Sequence, residues 1–225
     1  MEQFLAFPLS TIPYVVVTLL IAFTVHEFAH AYVAYKFGDP TAKNQGRLTL
    51  SPLSHLDPFG TLLIIIAGFG WARPVPVNRF YFKNPRLAGI LVSIAGPISN
   101  LILAFLGMVI WYLCIRFGVD TGTSEWLYEF FNLFIVINVV LFLFNLLPFP
   151  PLDGYRILED LMPNDIRAKM TQYESWGILM FLIIAITPLS DYVIAPIYNI
   201  GVEFFIRIFD SLLHPIIQLT IGGLL

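Results

Sequence analysis

The stretch Thr24-Val-His-Glu-Phe-Ala-His-Ala31 lies inside a long apolar run and contains the pattern H-E-x-x-H. On a helix, His26 and His30 are four residues apart and share one face. Two imidazoles placed in this way can bind one metal ion, most often zinc, and Glu27 can take a proton from a water there. An ionisable side chain in an apolar span is unfavourable by about 2.5–3.5 kcal/mol, so it usually serves a function. We interpret the stretch as a catalytic metal site; the alternative is three polar side chains that hydrogen-bond to neighbouring helices.

The composition is that of an integral membrane protein. Of the 225 residues, 58% are hydrophobic and only 12% are charged, and the mean hydropathy is +0.80. Soluble domains are about half apolar and a quarter charged. The net charge of −3 gives no indication of nucleic-acid binding. Cys114 is the single cysteine, which excludes an internal disulfide and a thiolate zinc site.

The hydropathy pattern predicts an all-α polytopic membrane protein with about five spans. We expect one membrane-embedded domain over residues 1–225, with the lipid bilayer as a partner and a core at about 12–156. The predicted spans are about Ile12–Phe37, Leu87–Phe117, Leu127–Leu147, Ser175–Leu189 and Tyr192–Phe209. At 1.5 Å per residue, His26 lies about 21 Å from the start of the first span, within the bilayer.

A different kind of element is predicted between the first two spans. Asp57–Gly70 is apolar but too short to cross easily, which favours a re-entrant element over a crossing. Gly46–Leu50 alternates in polarity like a short β-strand. Trp71–Asn78 is expected to be extended, because each proline disfavours helix at the residue before it. We predict that Ala42–Asn78 forms a wall of the active-site cavity, since non-helical backbone at membrane depth needs protein or water against it.

The basic residues predict the orientation. If Asp57–Gly70 returns to its starting side, the basic loops share one side of the membrane, which should be cytoplasmic. If it crosses, Lys43 and Arg73 fall on opposite sides. The first path places the active site nearer the cytoplasmic face. The residues concerned are Lys36, Lys43, Arg47, Arg73, Arg79, Lys83, Arg86, Arg156, Arg167 and Lys169.

A catalytic zinc site usually has three protein ligands, so a third is required. Asp153 is the best candidate, because it follows a helix end broken by Pro148, Pro150 and Pro151 and precedes Gly154. The first and third spans also end on the same predicted side. From these residues alone, an ordinary loop aspartate at a turn remains an equal alternative.

Together, His26-Glu-Phe-Ala-His30 and Asn145-x-x-Pro148-x-x-x-x-Asp153-Gly154 resemble the site-2 protease family of intramembrane zinc metalloproteases. Gly96-x-x-x-Asn100 matches the family's third motif. Gly46–Leu50, His55–Pro58 and Ala72–Val77 resemble its short prokaryotic members, and we expect a short form without PDZ or CBS domain.

The resemblance implies a zinc endopeptidase in a prokaryotic cell membrane. It implies His26, His30 and Asp153 as ligands of one Zn2+ per chain, and Glu27 as general base. The implied substrate is a single-pass membrane protein, cut within or near its transmembrane segment.

Three further residues are candidates for accessory roles. Asn145 is implied to bind substrate backbone, and its alternative is a helix cap or interhelical hydrogen bond. Asn100 is a candidate substrate contact, while Gly96 could simply permit close helix packing. His55, just before the apolar element, is either an interfacial loop histidine or part of a gate near the metal.

Two rival functions remain at this point. Broken helices with buried His and Asp would also suit a membrane transporter for a metal or solute, although no internal repeat is visible. A non-catalytic binder of membrane proteins is the other alternative, although ligands and base are all present.

Overall fold

The computed structural model describes residues 7–67, 70–119 and 124–221, and all regular secondary structure in this part of the chain is helical. The ends of the predicted domain and residues 68–69 of the predicted re-entrant element lie outside it. The α-helices are α1 (Ile12–Lys36), α2 (Thr41–Asn44), α3 (Pro58–Ala67), α4 (Pro85–Arg116), α5 (Glu125–Asn145), α6 (Asp153–Leu161), α7 (Asn164–Gln172), α8 (Glu174–Ile186), α9 (Leu189–Val193) and α10 (Ala195–Ile221). Short 3-10 turns occupy Pro52–Ser54 and Arg79–Tyr81.

Three of the described helices, α1, α4 and α5, are long and apolar enough to cross a membrane. They match the first three predicted spans to within about two residues. The predicted count of about five is not confirmed. The fourth predicted span corresponds to α8, whose 13 residues extend only about 20 Å, less than the roughly 30 Å hydrocarbon core. The fifth falls on α10, which contains the charged residues Glu203, Arg207 and Asp210.

Local sequence explains where the long helices begin and end. Asn84 caps α4 by accepting a hydrogen bond from the Leu87 amide (3.3 Å), and Pro85 occupies the first turn, where its missing N–H is harmless. Helix α5 ends at Asn145, three residues before the prolines at 148, 150 and 151. This break lets the chain turn and begin α6 at Asp153.

Helix α4 lies at the centre of the bundle. On one side Ala88 and Val92 of α4 pack with Ala34 of α1. On the other, Ala104 and Met108 pack with residues of α5 and α10. Because helices in lipid associate through close packing rather than the hydrophobic effect, small residues such as Ala34, Ala88 and Ala104 suit these contacts. The packing holds α1 against α4 over the stretch that contains the two histidines.

The apolar element between α1 and α4 returns to the end of the bundle from which it departs. The Arg73 amide donates to the His55 carbonyl (2.8 Å), so the two ends of the element meet. Gly60, near the start of α3, has no room for a Cβ because the Trp71 backbone lies against it. This geometry favours the re-entrant path over the crossing path.

The prediction of short β-strands is wrong for the described residues. Gly46–Leu50 is a turn followed by irregular backbone, because Gly46 takes a positive φ of 68° and the Arg47 amide bonds back to Ala42 (2.8 Å). Trp71–Asn78 forms neither a helix nor a ladder. Asn78 at its end has extended backbone, and the extended conformation of the whole segment stays a prediction. The Arg47 guanidinium joins the two segments by donating to the Arg73 carbonyl (2.6 Å).

Candidate metal centre

Three side chains predicted as ligands converge at one point. The Nε2 atoms of His26 and His30 are 3.0 Å apart, and they lie 3.2 and 3.3 Å from Oδ2 of Asp153. Within the described residues, these three form the group of His, Cys, Asp or Glu side chains that could hold a metal ion. The four-residue spacing on α1 brings the imidazoles together, whereas the fold brings Asp153 to them.

The remaining nitrogen of each imidazole is engaged by α4. His30 Nδ1 lies 2.7 Å from the Val92 carbonyl oxygen, which can only accept a hydrogen bond, so this nitrogen carries the proton. His26 Nδ1 lies 2.7 Å from Oδ1 of Asn100, again an acceptor. In the neutral rings both Nε2 atoms therefore present a lone pair to the point where they meet Asp153. Such outer partners orient metal-binding histidines.

The donor set fits zinc. Two imidazole lone pairs and a carboxylate oxygen at such short separations repel one another unless a cation lies between them. Oδ2 of Asp153 is also buried and without a hydrogen-bond partner. Ligand atoms bonded tetrahedrally to zinc at about 2.0–2.1 Å would be about 3.3 Å apart, close to the separations observed. Two histidines and one carboxylate are a known catalytic zinc set.

Glu27 lies beside this centre and does not belong to the group of ligands. Its Oε2 accepts a hydrogen bond from the backbone amide of Val75 (2.8 Å), and the side chain is buried. The segment Trp71–Asn78 therefore lies against the predicted general base at Val75, and its role as a wall of the active-site cavity stays a prediction. The contact orients the carboxylate through one of its two oxygens.

Charged groups outside the long helices hold α6, whose first residue is Asp153. Asp160 has a fully buried side chain that pairs with Arg79 and with Arg167 (3.3 Å). Arg156 bridges Glu159 (3.2 Å) and Glu174. Burial opposes ionisation of Glu159, but hydrogen bonds from Thr171 and Arg156 lower its pKa overall. These pairs connect α6 to α7, to α8 and to the chain that leads into α4. Asp153 is therefore the first residue of a helix whose position is fixed by ion pairs.

Gly96 provides the space in which the two imidazoles meet. A Cβ at this position would lie 2.6 Å from Nε2 of His26 and closer still to Nε2 of His30. Gly96 was predicted to permit close helix packing. The structure adds a second role, because the missing side chain also makes room for the imidazole rings of His26 and His30.

Gly96→Ala is expected to reduce zinc affinity by more than about 100-fold, since it displaces both ring nitrogens, whereas loss of an outer hydrogen bond typically costs 10–100-fold. Zinc content and chelator competition on purified protein would measure it. Gly107→Ala is the matched control, because its Cβ would meet only Phe134 and Ile135 side chains of α5. Equal zinc affinity in the two variants would contradict the assignment.

The accessory candidates have different positions. Asn100 is fully buried; it accepts from His26 and donates to Ala22 O (3.3 Å) and Asn138 Oδ1 (3.1 Å). This geometry indicates that Asn100 orients His26, and its contact with substrate stays a prediction.

Asn145 is partly exposed and donates to Leu141 O (2.9 Å) within its own helix. Its substrate contact likewise stays a prediction.

His55 is not brought into the metal-binding group. Its side chain is fully buried, with Nε2 at 2.7 Å from the Thr49 carbonyl and Nδ1 without a partner. It lies in the predicted wall, at the point where the re-entrant element closes on itself. The role of His55 in gating stays a prediction.

Several groups at the site were not found from the sequence. The Val92 carbonyl and the Val75 amide are backbone groups, which residue type does not reveal. Asn138 could have been singled out from the sequence, because it is an amide in an apolar helix. It lies seven residues, or two turns, before Asn145, on the same helix face.

Comparison with known proteins agrees with this geometry. The model of "Peptidase family M50" matches residues 120–187, which include Asp153. A Bacillus subtilis protein named "Putative zinc metalloprotease YwhC" is 59% identical over 219 residues, covering 96% of this chain and all of the relative. Two proteins named "Putative zinc metalloprotease Rip2" are 32% identical (Mycolicibacterium smegmatis) and 30% identical (Mycobacterium tuberculosis); each match covers 75% of this chain and 65% of the relative. No solved structure matches. The chain therefore belongs to peptidase family M50, the site-2 protease family, and is a zinc metalloprotease of the membrane.

Proposed function

We propose that this metalloprotease cuts single-pass membrane proteins within or near their transmembrane segment. The observation that supports the proposal is the depth of the site on an apolar helix. His26 and His30 lie 14 residues after the start and six before the end of α1, or about 21 and 9 Å at 1.5 Å per residue. The outer surfaces of α1 and α4 expose apolar side chains such as Val17 and Ile102. A peptide bond at that depth belongs to a chain inside the bilayer.

The substrate must expose its backbone before it can be cut, because a helix hides its carbonyls in hydrogen bonds to residues four positions away. The segment Trp71–Asn78 contacts Glu27 through the Val75 amide. An unwound substrate could add to this segment as a strand, with main-chain hydrogen bonds aligning its scissile bond. Asn100 and Asn145 remain the candidate side-chain contacts for substrate.

The proposed reaction is peptide hydrolysis, with one zinc ion per chain held by His26, His30 and Asp153. Bound zinc supplies Lewis-acid chemistry toward water and the peptide carbonyl. A carboxylate oxygen of Glu27 accepts a proton from the attacking water and returns it to the leaving amine. Val75 holds the second oxygen of Glu27, and the Nδ1 hydrogen bonds of both histidines keep Nε2 as the donor.

We propose that the site opens toward the cytoplasmic side of a prokaryotic cell membrane. It lies nearer the Lys36 end of α1, and Lys43, Arg47 and Arg73 belong to the loops at that end, where Arg47 bonds to the Arg73 carbonyl. Cytoplasmic loops are enriched in such residues. The relatives from Bacillus subtilis and Mycolicibacterium smegmatis are bacterial proteins. The transporter and binder alternatives lose support, because the relatives are named as metalloproteases and Glu27 occupies the position of a base.

Purified protein in liposomes is expected to cut a single-pass substrate within or near its span. Mass spectrometry of the fragments locates the cut, and a zinc chelator should abolish it until zinc is restored. The isolated soluble domain of the same substrate is the control and should stay intact. Cleavage confined to that soluble domain would contradict the intramembrane proposal.

A further inference from the structure

Asn138 is a fully buried polar side chain on α5 that the proposed chemistry does not use. Its Nδ2 donates to the Phe134 carbonyl of its own helix (2.8 Å), and its Oδ1 accepts from Nδ2 of Asn100 on α4 (3.1 Å). An amide in an apolar helix is unfavourable unless its hydrogen bonds are made, and both ends of this one are engaged. Asn100 in turn contacts His26, so Asn138 is two hydrogen bonds from a metal ligand.

The direction of these hydrogen bonds is determined at both amides. A backbone carbonyl can only accept, so Phe134 O requires the NH2 group of Asn138 and turns its oxygen toward Asn100. Ala22 O and Asn138 Oδ1 are likewise both acceptors near Asn100, at 3.3 and 3.1 Å, and they require its NH2 group. The oxygen of Asn100 is therefore left for His26 Nδ1 at 2.7 Å.

The two histidines differ in what orients them. His30 Nδ1 faces the backbone carbonyl of Val92. This carbonyl remains an acceptor whatever side chain is placed at position 92. His26 Nδ1 faces a side-chain amide, which could present either oxygen or nitrogen if its other partners were lost. The tautomer of His26, with its proton on Nδ1 and its lone pair on Nε2, thus depends on what holds Asn100.

We propose that Asn138 is a positioning residue for the metal centre: together with the Ala22 carbonyl it fixes the orientation of Asn100, which holds His26 in the tautomer that presents Nε2 to zinc. This inference concerns the metal site, and it uses the zinc site of the proposed function without depending on which peptide bond is cut. A role of Asn138 in helix packing alone would alter stability but would leave the His26 tautomer unchanged.

The test compares Asn138→Leu with Asn138→Asp. Leucine is similar in size to asparagine but has no acceptor for the hydrogen bond from Asn100. Asp keeps an acceptor there, and burial favours its protonated form, whose O–H can donate to Phe134 O. Val139→Ala controls for lost packing, because Val139 is the fully buried neighbour of Asn138 and makes no side-chain hydrogen bond.

Two measurements are made on purified wild-type protein and on each variant. Chelator competition gives the zinc dissociation constant. Ring 15N shifts of labelled histidine in zinc-saturated protein report which nitrogen of His26 binds the metal and which carries the proton. We expect Asn138→Leu to bind zinc about 10–100-fold more weakly and to lose the single Nδ1–H tautomer, while Asn138→Asp and Val139→Ala stay close to wild type in both.

Wild-type affinity and an unchanged tautomer in Asn138→Leu would overturn the inference. Should that variant fail to fold, a proton on Nε2 of His26 in the zinc-saturated wild type would also overturn it. Failure of the proposed function looks different: the protein would bind zinc and show the expected tautomer yet cut no membrane substrate.

Discussion

Glu27→Gln is expected to keep its zinc and to lose cleavage by a factor of about 10²–10⁴, the usual contribution of a general base. The side chain lies beside the three metal-binding groups without being one of them. Glutamine can still accept the hydrogen bond from the Val75 amide, so the wall segment should keep its place. It cannot take a proton from water, and this is the step that the substitution removes.

Zinc analysis of the purified variant and cleavage of a membrane substrate in liposomes would measure the two effects separately. Glu125→Gln is the matched control, since it makes the same chemical change at an exposed position at the start of α5. Full activity in Glu27→Gln would refute the assignment of the base. Loss of zinc together with activity would instead indicate that Glu27 is a ligand.

Asp153→Ala should lower zinc affinity by at least about 100-fold, beyond the 10–100-fold typical of outer partners, and abolish cleavage. Its Oδ2 lies 3.2 and 3.3 Å from the two Nε2 atoms and has no hydrogen-bond partner, so the substitution removes a ligand and a negative charge. Asp153→Asn should fall between wild type and alanine, because the amide keeps an oxygen but loses the charge.

Chelator competition and the cleavage assay apply to this series as well. Asp165→Ala is the control, because Asp165 is an exposed aspartate in the first turn of α7 and takes no part in the site. If zinc content and activity were unchanged in Asp153→Ala, another residue would have to complete the site.

The sequence predicts best what a single helix determines. His26, Glu27 and His30 were identified from their spacing, because the repeat of the helix places residues four apart on one face wherever the helix lies. The first three spans were located for a similar reason, since apolar length and helix-ending prolines are local properties. Asp153 was found less directly, from a Pro-broken helix end and from the resemblance to a family.

Where prediction failed, the decisive contacts were not local. Gly46–Leu50 has the alternation of a strand, but a strand needs a partner, and here the Gly46 turn and the Arg47 amide direct the chain back to α2. The contact of Asn100 with His26 was not predicted, because the sequence does not show that these residues, 74 positions apart, lie against each other. The substrate contact of Asn100 stays a prediction.

Composition and helical periodicity were sufficient to identify a helical membrane protein, to place two imidazoles and a carboxylate on neighbouring positions of α1, and to exclude cysteine as the source of the zinc ligands. The meeting of Asp153 with both imidazoles, the contact of Val75 with Glu27, and the contacts of Val92 and Asn100 with the histidines are seen only in the folded chain. Helix geometry is set by residues a few positions apart, whereas these contacts depend on how α1, α4, α5 and α6 pack.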